Sequence, residues 1–246
     1  MKNSLGRYVY ALANIAFGLF TFIWRDNNAL NVTHGRHALV LITAALEVLA
    51  GLAILFPPTL RAAALTLTIL YIAIGLNAIP FILKSPRVYA NWGEFFYQLA
   101  LAVGAIILYA LAANKPTIAR IGVIAFALCN ISFAAEQYEF LTGTASLVPH
   151  WIPLSGIFWA WATTVFFVLA AIALLTGILA RLAAQLDTAM LILFALLSLL
   201  PVVIANPHSF FRSTELIETF LTAASAWVVA DYLSSREPRA RTYVTS

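Results

Sequence analysis

Apolar residues in this 246-residue chain arrive in blocks that are too long and too many for one water-soluble core. Eight can be marked: Tyr8–Trp24, Ala38–Phe56, Ala62–Leu83, Phe95–Ala113, Ile118–Ala135, Ile157–Ala180, Thr188–Ala205 and Leu216–Leu233. A run of about 18 or more apolar residues with few charges is long enough to cross the hydrocarbon layer as a helix. Helix is the economical form, because lipid offers no partner to an unpaired backbone amide. Charged residues make up only 10% of the chain, against roughly 25% in soluble domains. The expected class is an all-α integral membrane protein with eight transmembrane helices, and its first partner is the lipid bilayer.

The same composition excludes several functions. The net charge is +4, but no basic run carries interleaved aromatics, so no nucleic-acid partner is expected. Arg236, Arg239 and Arg241 follow the last apolar block, where they suit a cytoplasmic anchor. The single cysteine, Cys129, excludes an intrachain disulfide, a CxxC pair and a cysteine-based metal site. No GxxxxGK[ST] or GxGxxG pattern is present, and no histidine falls within a span where it could ligate haem. No catalytic residue is therefore assigned and no cofactor is required, although a quinone is compatible. Lys2 and Arg7 precede an apolar run that ends in Arg25-Asp26-Asn27-Asn28, without small residues suited to cleavage, so it reads as a retained first span.

Short connections such as Pro57-Pro58-Thr59 and Asn114-Lys115-Pro116 predict antiparallel neighbours. With the N-terminus inside, nine basic residues fall on the cytoplasmic side and five on the other, which predicts cytoplasmic termini in a bacterial inner membrane. A duplication is also legible. The frame PFILKSPRVYANWGE returns 121 positions later as PVVIANPHSFFRSTE, setting Pro201, Pro207 and Glu215 over Pro80, Pro86 and Glu94. Arg7 and Arg120 precede the first span of each half, and Arg61 and Arg181 follow the second. Four spans per half give parallel repeats, 1–114 and 115–246, within one bundle.

Few residues can carry chemistry. Glu47 lies mid-span, where a charge costs about 2.5–3.5 kcal/mol, so it should face the interior. Its candidate partners are Asn14, Asn77 and Gln98. It serves either as a proton- or ligand-handling acid or as a neutral group joining helices. The aligned position in the second half is Phe167. Glu94 and Glu215 are expected to open spans four and eight, where an acid in the first turn meets the helix dipole. Glu218 shares a face with Glu215, and the pair could receive a cation or an amine. His34 and His37 have the i,i+3 spacing of a weak metal site. Trp24, Asp26, Arg87, Trp92, Glu136, Glu139 and Arg212 add to an outer half rich in aromatic and ionisable groups, while Asp187 and Asp231 lie at cytoplasmic span ends. The long connection after span five should lie along the membrane surface or fold over the bundle as a lid.

Arg7, the EVLAG run over Glu47–Gly51, Arg61 and Glu94 give the first half a pattern that resembles the DoxX-like family of small bacterial membrane proteins. In the second half only Arg120, Arg181 and Glu215 match. The resemblance implies four-span units and an accessory role, in some members beside a quinone-coupled oxidoreductase. The expected function is a binding or accessory subunit with an outward pocket for a small amphipathic molecule such as a quinone or lipid. Glu47, Asn14 and Asn77 would line its interior, with Glu94, Glu215 and Arg212 at its mouth, and Gln98 and Glu218 are further candidate ligand-binding residues. The alternatives are a proton-coupled small-molecule transporter and a membrane subunit of a quinone-linked oxidoreductase with a membrane or periplasmic redox partner.

Overall fold

A computed structural model describes residues 4–26 and 37–236. Those residues are helical throughout their length apart from turns, with no strand. The helices are α1 Leu5–Trp24, α2 His37–Ile54, α3 Leu60–Leu76, α4 Ile79–Lys84, α5 Tyr89–Ala112, α6 Pro116–Glu139, α7 Leu141–Ser146, α8 Gly156–Thr176, α9 Ala180–Phe194, α10 Leu200–Ala205 and α11 Phe210–Ser234. A π-helical turn, Ala195–Leu199, joins α9 to α10. Counting α3–α4 and α9–α10 as one span each, eight helices are long and apolar enough to cross a membrane. Many of their apolar side chains, such as Leu12, Ile69, Leu169 and Ile204, point outward as a lipid-facing surface requires.

The two interrupted spans break at prolines. Pro80 and Pro201 have no N–H for the helical ladder, so the backbone before each must find other bonds. Before Pro80, Asn77 and Ala78 tighten to i−3 bonds on Ile74 and Gly75. Before Pro201 the chain widens instead, and the Leu200 amide reaches back to Ala195.

The fourth and eighth spans begin earlier than their apolar runs. α5 starts at Tyr89 and α11 at Phe210, so Glu94 and Glu215 each lie in the second turn, and neither helix has an acid in its first turn. The helix-dipole role expected of these two glutamates is therefore wrong. Ser209 caps α11 instead, its hydroxyl accepting from the Arg212 amide.

Helices α5 and α11 pack on each other in the middle of the bundle. Around them α1 packs on α2, α2 on α3 and α3 on α5, while α6 packs on α8, α8 on α9 and α9 on α11. The ring closes through α5 on α6 and α11 on α1. One face carries both ends of the described chain, since the Gly6 amide donates to Asp231 at 2.8 Å. At the opposite face Phe210 stacks on Phe20 with ring centres 5.7 Å apart.

Helices α1 and α2 approach closely. A Cβ on Gly18 would meet the Ala44 carbonyl oxygen at 2.8 Å, and one on Gly51 would meet the Ala11 carbonyl oxygen at 3.0 Å. Small residues at such crossings let membrane helices pack backbone to backbone. At the turn before α9, Leu179 is held at φ 55° although it is not glycine, and its side chain is 69% exposed. Left-handed backbone costs a side-chain-bearing residue about 1–2 kcal/mol, and little packing would be lost. Leu179→Gly is expected to raise the thermal midpoint of the detergent-solubilised protein by a few degrees, checked by a melting curve.

Candidate functional site

Five helices and the π turn enclose a cavity of about 430 Å³. Its walls come from α6, α7, α8, α9 and α11, and Tyr97 of α5 closes the inner side. The apolar part holds Phe133, Phe140, Phe167, Met190, Leu191, Phe194 and Leu199. Tyr97, Phe133 and Phe167 form a continuous aromatic run, each ring 5.5 Å from the next. Polar groups gather at the end toward the Phe20–Phe210 face: Glu136, Gln137, Thr163, Arg212 and Glu215, with Thr219 and Thr222 deeper on α11.

The local sequence explains this placement. On α6, Phe133, Glu136 and Gln137 recur at helical spacing, so one face carries an aromatic ring and two polar heads. Helix α6 runs to Glu139, four residues past the end of its apolar block, and therefore keeps Glu136 and Gln137 on the helix. Gln137 Oε1 accepts from the hydroxyls of Thr163 at 2.7 Å and Thr164 at 3.2 Å, which fixes α6 to α8 at the cavity edge. Arg212 donates to Glu215 at 2.8 Å, one helical turn apart. The short helix α7 packs against α8 and α6 and lends Gly143, Thr144 and Ser146 to the wall.

Four carboxylates act on this region. Glu136 lies within electrostatic range of Glu215 and Glu94, and Glu218 within range of all three. Glu94 accepts only a long bond, 3.5 Å, from Gln98. The Glu136 carboxylate makes no ion pair or hydrogen bond among the described residues. The Thr222 hydroxyl, 1% exposed, is also without a partner there.

No protein-family model, curated protein or solved structure matches this chain.

The residues expected to form one pocket occupy two separate places. Glu215 and Arg212 line the cavity, with Glu94 and Glu218 near enough to act on it electrostatically. Glu47, Asn14, Asn77 and Gln98 do not line it. Glu47 is fully buried between α2 and its neighbours, and neither carboxylate oxygen has a partner among the described residues. None of its three candidate partners bonds to it. Asn14 donates to the Tyr10 carbonyl oxygen at 2.7 Å and accepts from the Tyr71 hydroxyl at 2.7 Å. Asn77 turns back on Ala73 and Ile74 at the end of α3. Gln98 packs its β-carbon where a Cβ on Gly75 would meet it, at 3.1 Å. Glu47 lies within electrostatic range of Glu218, which is itself near the cavity but not in its wall.

His37 opens α2, and His34 lies outside the described residues. Among the described residues no group of three or more His, Cys, Asp or Glu side chains could hold a metal. Glu136, Gln137, Thr163 and Thr222 were not singled out as site residues from the sequence. The spacing Phe133, Glu136, Gln137 was the available signal, a polar pair on an aromatic face at the end of a span.

Proposed function

We propose that the chain is a multi-pass bacterial inner-membrane protein whose second-half cavity binds a small amphipathic molecule, such as a quinone or a lipid. The observation that carries this reading is the amphipathic wall of the cavity. Its aromatic and aliphatic side chains occupy one part, and Glu136, Gln137 and the Arg212–Glu215 pair occupy the other. Ligand sites are commonly concave and mostly apolar, with a few placed polar groups.

On the positive-inside rule, the face holding both described ends is cytoplasmic and the polar end of the cavity looks outward. The chain is further read as a tandem pair of DoxX-like four-span units. Supporting this, every neighbour relation in one half has a counterpart in the other: α1 on α2 with α6 on α8, and α3 on α5 with α9 on α11. Likewise α5 on α6 has its counterpart in α11 on α1.

Phe167 projects into the cavity, so enlarging it should fill the space. In nanodiscs, the wild-type protein is expected to bind decylubiquinone or a short-chain lipid saturably, and Phe167→Trp to weaken binding by roughly tenfold or more. Saturable binding that Phe167→Trp leaves unchanged, or no binding of any amphipathic probe, would overturn the reading.

One observation favours transport as a second reading. Spans three and seven are interrupted before Pro80 and Pro201, and the second interruption adjoins the cavity through Phe194 and Leu199. Discontinuous helices beside a ligand site are a recurrent feature of secondary transporters. Uptake of the bound probe into liposomes under a pH gradient would support carriage, and binding without uptake would exclude it.

A further inference from the structure

We propose that the cavity is built for a lipophilic cation, a protonated amine or quaternary onium with an apolar body, whose charged head meets Glu136. This rests on the reading of the cavity as a ligand site and specifies the class of ligand.

Charge balance is the first argument. Among the described residues, the one basic side chain in the wall, Arg212, is already engaged by Glu215 at 2.8 Å. Glu136 remains, without a cationic partner among the described residues, and the acids Glu94 and Glu218 lie within electrostatic range of it. An anionic head would meet this group of acids, and among the described residues the wall offers it no unengaged cation. A cationic head would supply the missing counter-charge.

The second argument is the aromatic run. The rings of Tyr97, Phe133 and Phe167 line the cavity, and Phe133 lies one helical turn before Glu136 on α6. Aromatic faces attract cations and combine with a carboxylate to hold onium groups. Such a lining also accepts the apolar body of the ligand.

The third argument is independent of charge. Thr222 is 1% exposed, lines the cavity, and has no hydrogen-bond partner for its hydroxyl among the described residues. A buried hydroxyl left unpaired is costly. A ligand N–H reaching that deeper part of the cavity, or a water held there by the ligand, would satisfy it.

The test uses two probes matched in size and shape and opposite in sign, tetraphenylphosphonium and tetraphenylborate, with decylubiquinone as the neutral comparison. Binding is measured on the full chain in nanodiscs of neutral lipid by equilibrium dialysis. Wild-type protein is expected to bind the phosphonium saturably and the borate weakly or not at all. Glu136→Gln keeps the shape of the side chain and should weaken phosphonium binding by roughly tenfold or more. Phe167→Trp should weaken it as well. Circular dichroism and monodisperse elution certify that each variant is folded, and Thr222→Val provides a second, milder variant expected to weaken binding of an N–H-bearing amine more than that of the phosphonium.

Equal or tighter binding of tetraphenylborate would overturn the cation assignment. So would phosphonium binding indifferent to Glu136→Gln. If decylubiquinone binds, Phe167→Trp abolishes that binding, and the phosphonium does not bind, the cavity reading stands and the cation assignment falls. If no probe binds, both fall.

Discussion

Replacing Arg7 with methionine is expected to lower the thermal midpoint of the purified protein by roughly 10 °C. Arg7 is 1% exposed, although it sits near the end of a span where an arginine could easily reach water. Its guanidinium donates from Nε to the Ile54 carbonyl oxygen at 2.8 Å and from a terminal nitrogen to that of Leu55 at 2.7 Å. These are among the last carbonyls of α2, which no further turn of helix can satisfy and which carry the negative end of its dipole. Thr59 takes the two neighbours, its hydroxyl lying 2.6 Å from the Ala53 oxygen and 3.1 Å from that of Phe56. Together the two residues close the end of α2 and bind it to α1. Methionine would keep most of the packing and abandon two carbonyls, a loss of about 3–5 kcal/mol when charged hydrogen bonds are broken in a buried place. Lysine should recover only part, because one ammonium cannot reproduce the planar fork. Arg120, the matching residue of the second half, is exposed, and Arg120→Met should change stability by less than about 0.5 kcal/mol. Equal losses at the two positions would show that both arginines act through the membrane surface and not through a helix end.

That contrast marks the limit of what could be read in advance. The spans were legible because apolar length is a property of each segment alone. Their starts were not: the polar turns over Asn91–Glu94 and Arg212–Glu215 dilute the apolar signal, yet they are helical. The matched arginines looked equivalent because spacing records position along the chain and not burial. Glu47 was recognisable as an interior residue, since an acid amid Ala44, Leu46, Val48 and Leu49 has nowhere else to go. The cavity was hidden for a different reason. It depends on which faces of five helices converge, and no single segment states that. Glu136 lay at the end of its apolar block and was counted with the outer ionisable groups, whereas α6 carries it one turn further as part of the wall.

Glu47→Met is expected to raise stability by about 1–3 kcal/mol, the relief from removing an unsatisfied buried polar group. For a chain of this size that corresponds to a gain of roughly 4–8 °C in thermal midpoint. Methionine has similar length, fits irregular space and carries no strong polar atom. Glu47→Gln should gain much less, because an amide in the same place still lacks partners. The comparison decides between the two roles open to this acid. If the carboxyl joined helices, removing it would lower the midpoint by several degrees, and glutamine would be the better substitute. If it raises the midpoint, the acid is carried at a cost in stability, as functional groups often are. Its electrostatic reach to Glu218, and from there to Glu136 and Glu215, then suggests a reason for keeping it: the protonation of Glu47 is coupled to that of the acids near the cavity. In that case Glu47→Met should also change tetraphenylphosphonium binding, by a smaller factor than Glu136→Gln, because it acts through its coupling to Glu218 and not through contact.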